Sequence, residues 1–297
     1  MYLDNHIITL NSTDATLLNG TYLSNVFFNF KGLLKDDINI VRSYITVLNA
    51  QIPVSFYVID STNNVIRIRN ETSLLIGTFV IPIGNYNANT LITTINATIQ
   101  AVSSFNDIVC SFNPTTGVLT FISTNVYTYF SYANGSTIGE VLGMSSSNRT
   151  GQNIALSFPL NLLGKTKLFV NSINLANVAY SSYGNGFSST LGTIPVNVPP
   201  YSLIQYTCAV DQQKNILTNR VLDGIDIQIK DQNNNFVNFN NIPWTMTLVL
   251  SIERMDANKF HVQNFNNYLG NSQPIQPQEI ELNPPEQDKD LEFLQSV

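Results

Sequence analysis

Charge is what this sequence has least of. Of 297 residues only 11% are Asp, Glu, Lys or Arg, against about 25% in an average soluble domain. Histidine and cysteine occur twice each and tryptophan once. Each shortage excludes something. A net charge of −6 leaves no broad electrostatic footprint, so no direct nucleic-acid site is expected. His6 and His261 are far apart, and neither His-x-x-His nor Cys-x-x-Cys spacing occurs. That argues against a zinc site and against a Ser–His–acid triad. The start, Met1 to Leu10, carries Asp4 and lacks the apolar core of a secretory signal, so Cys110 and Cys208 are expected to be reduced thiols. No run of 18 apolar residues exists, so no membrane span is expected. The missing charge is replaced by neutral polar residues, with 40 Asn but only 8 Lys. An AT-rich coding bias would raise Lys along with Asn, so it does not account for the deficit.

The acid that is present gathers at the end. From Asn271 onward Glu279, Glu281, Glu286, Asp288, Asp290 and Glu292 face Lys289 alone, so this tail carries −5 of the −6. It also holds Pro274, Pro277, Pro284 and Pro285. That composition belongs to an extended segment, not a packed one. Its one apolar cluster near the end, Leu291, Phe293 and Leu294, is the expected anchor on a partner.

The body reads as β. Val26, Phe28 and Phe30 alternate along one face, as do Ser43, Ile45 and Val47 against Tyr44, Thr46 and Leu48. Phe56 to Ile59 is a further aromatic and β-branched run. After Leu160 the same signals return at Leu168–Leu175, at Ser202–Thr207, and at Ile225, Ile227 and Ile229. A long strand signal closes the series: from Trp244 to Glu253, residues Met246, Leu248, Leu250 and Ile252 share one face. Strict alternation implies antiparallel sheets with one wet face, and many such strands without helices imply a sandwich or barrel.

The middle is different. Val65–Arg69 and Phe79–Ile83 read as strands. Asn87 or Asn89 then caps a predicted helix with Leu91, Ile92, Ile95, Ile99 and Val102 on its apolar face. Ile108–Phe112 and Val118–Ile122 flank the turn Asn113-Pro114-Thr115-Thr116-Gly117. Ser136 is expected to cap a short helix holding Ile138, Val141 and Leu142, stopped by Gly143. The expected division is therefore 1–61 as a first β part, 62–152 as an inserted α+β unit, 153–262 as a second β part, and 263–297 as the acidic tail.

Chemistry is hard to find. Asp223, Asp226 and Asp231 lack the spacing of a calcium loop and read as a turn plus the wet face of a strand. The glycine-rich stretch Ser182 to Phe187 opens no helix, so it makes no phosphate cradle and reads as a flexible loop. The 17 Phe and 13 Tyr sit mostly in strand patterns and read as core or interface. No catalytic residue, metal ligand or cofactor is expected.

Two stretches and the middle unit carry a family resemblance. The first is Ile40 to Pro53, the second Asp223 to Asp231 followed by Phe236–Phe239 and Trp244–Leu250, and the middle unit ends Ile138-Gly139-Glu140-Val141-Leu142-Gly143-Met144. Together they resemble the penton, or minor capsid, proteins of virophages and Polinton-like viruses, over roughly residues 20 to 255. The resemblance implies a single antiparallel jelly-roll sandwich with a small inserted α+β domain that projects outward. It also implies a homopentamer at the five-fold vertices of an icosahedral capsid, beside the major capsid protein. The virion would be the location, assembly would take place in the host cytoplasm or a viral factory, and the insertion would be the surface offered to a host receptor. A charge-poor surface suits a subunit with permanent neighbours, since desolvating an unpaired charge at an interface is costly. The alternatives are a β-sandwich carbohydrate-binding or fibre-like attachment module and, further off, an enzyme such as a glycosidase on the same sandwich.

Overall fold

The computed structural model describes residues 2–18, 22–175, 179–181, 186–209 and 214–255. His261, the core of the glycine-rich stretch, and the tail with Leu291, Phe293 and Leu294 lie outside the described residues. The first part of the chain forms β1 (Tyr2–Asn11), β2 (Thr16–Leu17), β3 (Asn25–Leu34) and β4 (Ile40–Pro53). The middle forms β5 (Val65–Asn70), β6 (Ile76–Val80), helix α1 (Ala88–Gln100), β7 (Val109–Asn113), β8 (Val118–Tyr129), helix α2 (Gly139–Leu142) and β9 (Arg149–Ala155). The rest forms β10 (Lys167–Asn171), β11 (Ala179–Ser181), β12 (Gly186–Ser188), β13 (Thr190–Pro195), β14 (Leu203–Thr207), β15 (Asn215–Ile216), β16 (Leu222–Lys230) and β17 (Thr245–Arg254).

Two antiparallel sheets make the sandwich. One runs β1-β17-β4-β14, with β15 also on β4, and the other β13-β10-β16-β3-β2. Of the strands outside the middle, eight have five residues or more: β1, β3, β4, β10, β13, β14, β16 and β17. The first of these pairs with the last, the second with the seventh, the third with the sixth and the fourth with the fifth. A ribbon paired in this nested way and wrapped into two facing sheets is a jelly roll. The pairing also sorts the connections. Those from β1 to β3, β4 to β10, β13 to β14 and β16 to β17 lie at one end. The start of β1 and the end of β17 lie at the other.

The core follows from the period of two. Ile45, Met246, Leu248, Leu250 and Ile252 from the first sheet bury against Val26, Phe28, Ile225, Ile227 and Ile229 from the second. Trp244, just ahead of β17, is the largest fully buried side chain. Its ring meets Phe28 edge-on at 6.2 Å between centroids, and its indole N–H donates to the Leu23 carbonyl at 2.8 Å. Phe30 is only partly buried against this core.

The middle has a core of its own, from Ile59 to Leu156, in which a sheet ordered β6-β5-β8-β7, with β9 on β8, meets α1. Ile95, Ile99, Phe121 and Leu142 are fully buried there, while Ile92 and Phe112 are partly buried against it. Asn87 caps α1 in a reciprocal pair with Thr90. The side chains of α1 also finish the sheet. Asn96 donates to the Cys110 carbonyl at 2.9 Å and accepts from the Cys110 N–H at 2.7 Å. Gln100 donates to the Ile108 carbonyl. These amides take the hydrogen bonds a neighbouring strand would have made to β7. At the β7–β8 turn, Asn113 accepts from the Thr115 N–H and Gly117 adopts φ +73°, as the turn residues demand.

Four local expectations change. Val102 falls beyond α1 and is 41% exposed, because the helix ends at Gln100. Ser136 does not cap α2. Its hydroxyl accepts from the Arg67 N–H instead, and Ile138 holds the cap position. Phe56 to Ile59 is no strand: Phe56 belongs to the sandwich core and Ile59 to the second core. Its apolar character reflects a chain crossing between two interiors. The strand expected over Leu168–Leu175 stops at Asn171, and the chain then folds over the sheet.

If the sandwich core is as described, Leu248→Ala should cost ~2–5 kcal/mol in chemical unfolding. Gln205→Ala, on the exposed side of β14, should stay within about 0.5 kcal/mol.

Insertion junction and candidate assembly surfaces

The outgoing chain leaves β4 tied to the sandwich. Val54 donates to the Ser202 carbonyl, and the Ser55 hydroxyl donates to the Phe239 carbonyl at 2.7 Å. The rings of Phe56 and Phe239 meet edge-on at 6.3 Å. The returning chain brings Lys165 back to the same place. Its ammonium lies 3.3 Å from Asp60 on the outgoing segment and 3.7 Å from Asp231 at the end of β16. Gln232 adds a hydrogen bond to the Gly164 carbonyl. One lysine therefore joins both connections to the sandwich. Burial alone would raise the Asp60 pKa, but hydrogen bonds from Thr62 and the charge of Lys165 outweigh it and hold the carboxyl below its ordinary value. Beside this clasp lies a cleft of about 410 Å³, which Tyr132, Glu140, Asn161 and Asn233 also line.

The three carboxylates near β16 do three separate jobs. Asp223 accepts from the Gly32 N–H, and Asp231 holds Lys165. Asp226 corrects the expectation of a wet strand face, for it is only 5% exposed. It accepts from the Ser172 hydroxyl and from the N–H groups of Ile173 and Asn174. The segment after β10 is thereby pinned over the outer side of its own sheet. The sequence could have hinted at this only through the odd placement of an acid between Ile225 and Ile227. Among the described residues no group of three or more His, Cys, Asp or Glu is placed to hold a metal.

In the insertion, Asp107 organises the irregular middle of β8. It accepts from the Thr124 hydroxyl at 2.7 Å, from the Asn125 N–H at 2.9 Å, and from the Tyr127 hydroxyl. Burial pushes its pKa up, but these donors dominate and bring it down to about 2. The Tyr127 hydroxyl is pushed up to about 12, first by burial and then by Asp107. Burial likewise pushes the Cys110 thiol up to about 12, which makes it a poor nucleophile.

Several of the few charges are spent on one another. Arg69 pairs with Glu71, and Arg254 with Asp37. The surface also offers scattered exposed apolar side chains, among them Ile38 at 90% and Leu163 at 77%, and at the edges of the first sheet Tyr201 at 76% and Ile7 at 71%. The expected anchor Leu291, Phe293 and Leu294 lies outside the described residues, so the structure brings it to no site. No described helix is long and apolar enough to cross a membrane.

No family model matches the sequence, and neither does any curated protein. Among solved structures the chain is similar to the mavirus penton protein, known from a crystal structure with selenomethionine. The sequences are 11% identical, the TM-score is 0.45, and the match covers 84% of this chain and 100% of that one. The jelly roll itself stands on the strand pairing described above.

The Asp107 network carries a pH dependence. Its folded pKa of about 2 lies below the ordinary 3.8. The network therefore adds stability that is fully present above pH 3.8 and lost as the pH falls toward 2. Asp107→Asn should lower stability at neutral pH by about 1 kcal/mol for this half-buried group. It should also flatten the acid limb between pH 4 and 2, read as unfolding free energy against pH.

Proposed function

We propose that this chain is a structural virion protein, a penton subunit that assembles as a homopentamer at capsid vertices beside a major capsid protein, and that it catalyses no reaction. The observation that carries the reading is the polarity of the jelly roll. The insertion leaves one end, while the start of β1 and the end of β17 lie at the other. A subunit built so can turn its insertion outward, toward a host receptor, and keep the start of β1 and the end of β17 on the side away from it. The charge-poor composition supports burial of the flanks in permanent contacts, as does the resemblance over Ile40–Pro53, Asp223–Asp231, Phe236–Phe239 and Trp244–Leu250. The location is then the virion, with assembly in the host cytoplasm or a viral factory. Mass photometry of the purified chain should give five-fold particles, visible as rings by negative stain. A stable monomer or trimer retained on glycans would favour the carbohydrate-binding reading instead.

Residues 62–152 are proposed to be a separable unit. The second core runs a little further, from Ile59 to Leu156, and β9 to Ala155, so the clean excision lies between the clasp residues: replacing 61–164 by a short Gly/Ser linker should leave a folded sandwich, because the two connections run side by side at Asp60 and Lys165. Unfolded product from several linkers would count against those bounds. Fully extended, the 27 residues after Gly270 span at most roughly 90–97 Å, enough to reach an adjacent subunit. We assign them the role of a tether, anchored by Leu291, Phe293 and Leu294 and steered by six acids toward a basic groove. Truncation after Gly270 should lower the yield and heat stability of assembled particles, most of all at low salt. Unchanged yield and melting would rule the tether out.

A further inference from the structure

Among the described residues no further strand pairs with either edge of the first sheet, and the two edges are unequal. On one side β1 offers ten residues, Tyr2–Asn11, paired only through their inner side to β17. Several other described edge strands are blunted in recognisable ways, and β9, with seven residues, presents Arg149, Thr150, Gln152 and Asn153 to solvent in place of large apolar side chains. β2 has two residues, β6 and β14 have five, β13 ends in Pro195, and β7 is covered by Asn96 and Gln100 of α1. β1 has none of these devices. It carries neither Pro nor Lys, its one carboxylate, Asp4, is already paired with His6 at 3.3 Å and Arg254 at 4.0 Å, and Leu3 and Ile7 stand 48% and 71% exposed along it. A long edge with exposed apolar side chains is a template for another chain. The opposite edge of the same sheet, β14 with β15, shows a matching set: Tyr201 at 76%, Leu203 at 43% and Ile216 at 44% exposed. The two edges differ and point away from each other across one sheet, with Leu3, Ile7 and Leu203 all on its outer face, opposite in parity to the buried Ile8 and Ile204. That is what a head-to-tail contact requires, and such contacts close into rings when the rotation allows.

We propose that β1 of one copy seats against the β14/β15 edge of the next copy, so that the first sheets follow one another around the ring. This rests on the assembly reading above and names its contact surface. Neither edge needs a charge to be desolvated at Ile7, Leu203 or Ile216, in keeping with a permanent interface.

The test uses the full chain with Ile7→Lys, which gives β1 the protection it lacks, and Leu203→Lys on the other edge. Both positions are exposed, so melting temperatures should hold; Leu3→Lys replaces Ile7→Lys should that variant melt early. In mass photometry each variant alone should lose the ring and run as a monomer. Mixed one to one, the two should form dimers, because the mixture retains one intact pair of edges. Rings that persist in Ile7→Lys overturn the contact and leave the assembly reading standing. Monomeric variants that give no dimers on mixing overturn the head-to-tail arrangement. A wild-type chain that stays monomeric overturns both proposals. Hydrogen exchange adds the remaining outcome: β1 amides protected in the monomer, and deprotected by truncation after Met255, would mean that the chain's own tail covers this edge.

Discussion

The structure depends on β17 finding its place between β1 and β4. Until that strand arrives the first sheet is two separate pieces, and the second has nothing flat to close upon. The pairing joins the first residues of the chain to the last ones described, with His6 opposite Leu250 and Ile8 opposite Leu248. Contacts so distant in sequence carry a large loop-closure cost before they return anything. Trp244 offsets part of it. Buried at the entry to β17, it fixes the strand against Phe28 of the facing sheet and against the loop carrying Leu23, so alignment of β17 and closure of the sandwich are one event.

A long-range fold of this kind tolerates an insertion only where the chain already doubles back. The connection from β4 to β10 is such a place, because both strands end at the same end of the sandwich. The second core gives the inserted residues their own hydrophobic stabilisation, and the ionic contact of Lys165 with Asp60 and Asp231 ties the two connections to the sandwich without enlarging either core. Breaking a half-buried pair costs more than making it contributes, so the clasp fixes direction more than it adds stability.

Much of this was legible in the amino-acid pattern, and the exceptions share a cause. Met246, Leu248, Leu250 and Ile252 declared β17 because each alternate side chain meets the core. Leu91, Ile95 and Ile99 declared α1 in the same way. β1 stayed hidden because only Ile8 and Leu10 of its ten residues are buried hydrophobics; a strand half outside the sandwich leaves half a pattern. Asp226 misled because parity places it on the outer side of its sheet, and only the fold-back of Ser172 to Asn174 buries it. The apolar run at Phe56 to Ile59 had the composition of a strand but served two interiors. Of the candidate sites, the junction could not be read at all, since Asp60, Lys165 and Asp231 are brought together by topology and share no spacing.

The amide bridge between Asn96 and Cys110 has a wider consequence. The outer side of β7 is satisfied by a helix, and helices fray more readily than ladders separate. Each time the last turns of α1 loosen, the Ile108 and Cys110 carbonyls lose their partners while the rest of the molecule is still native. Aggregation of this protein on warming should then begin below its cooperative unfolding, with an onset set by the residual helicity of thirteen residues. Long-term storage stability would be governed by the sequence of α1 more than by the large sandwich core.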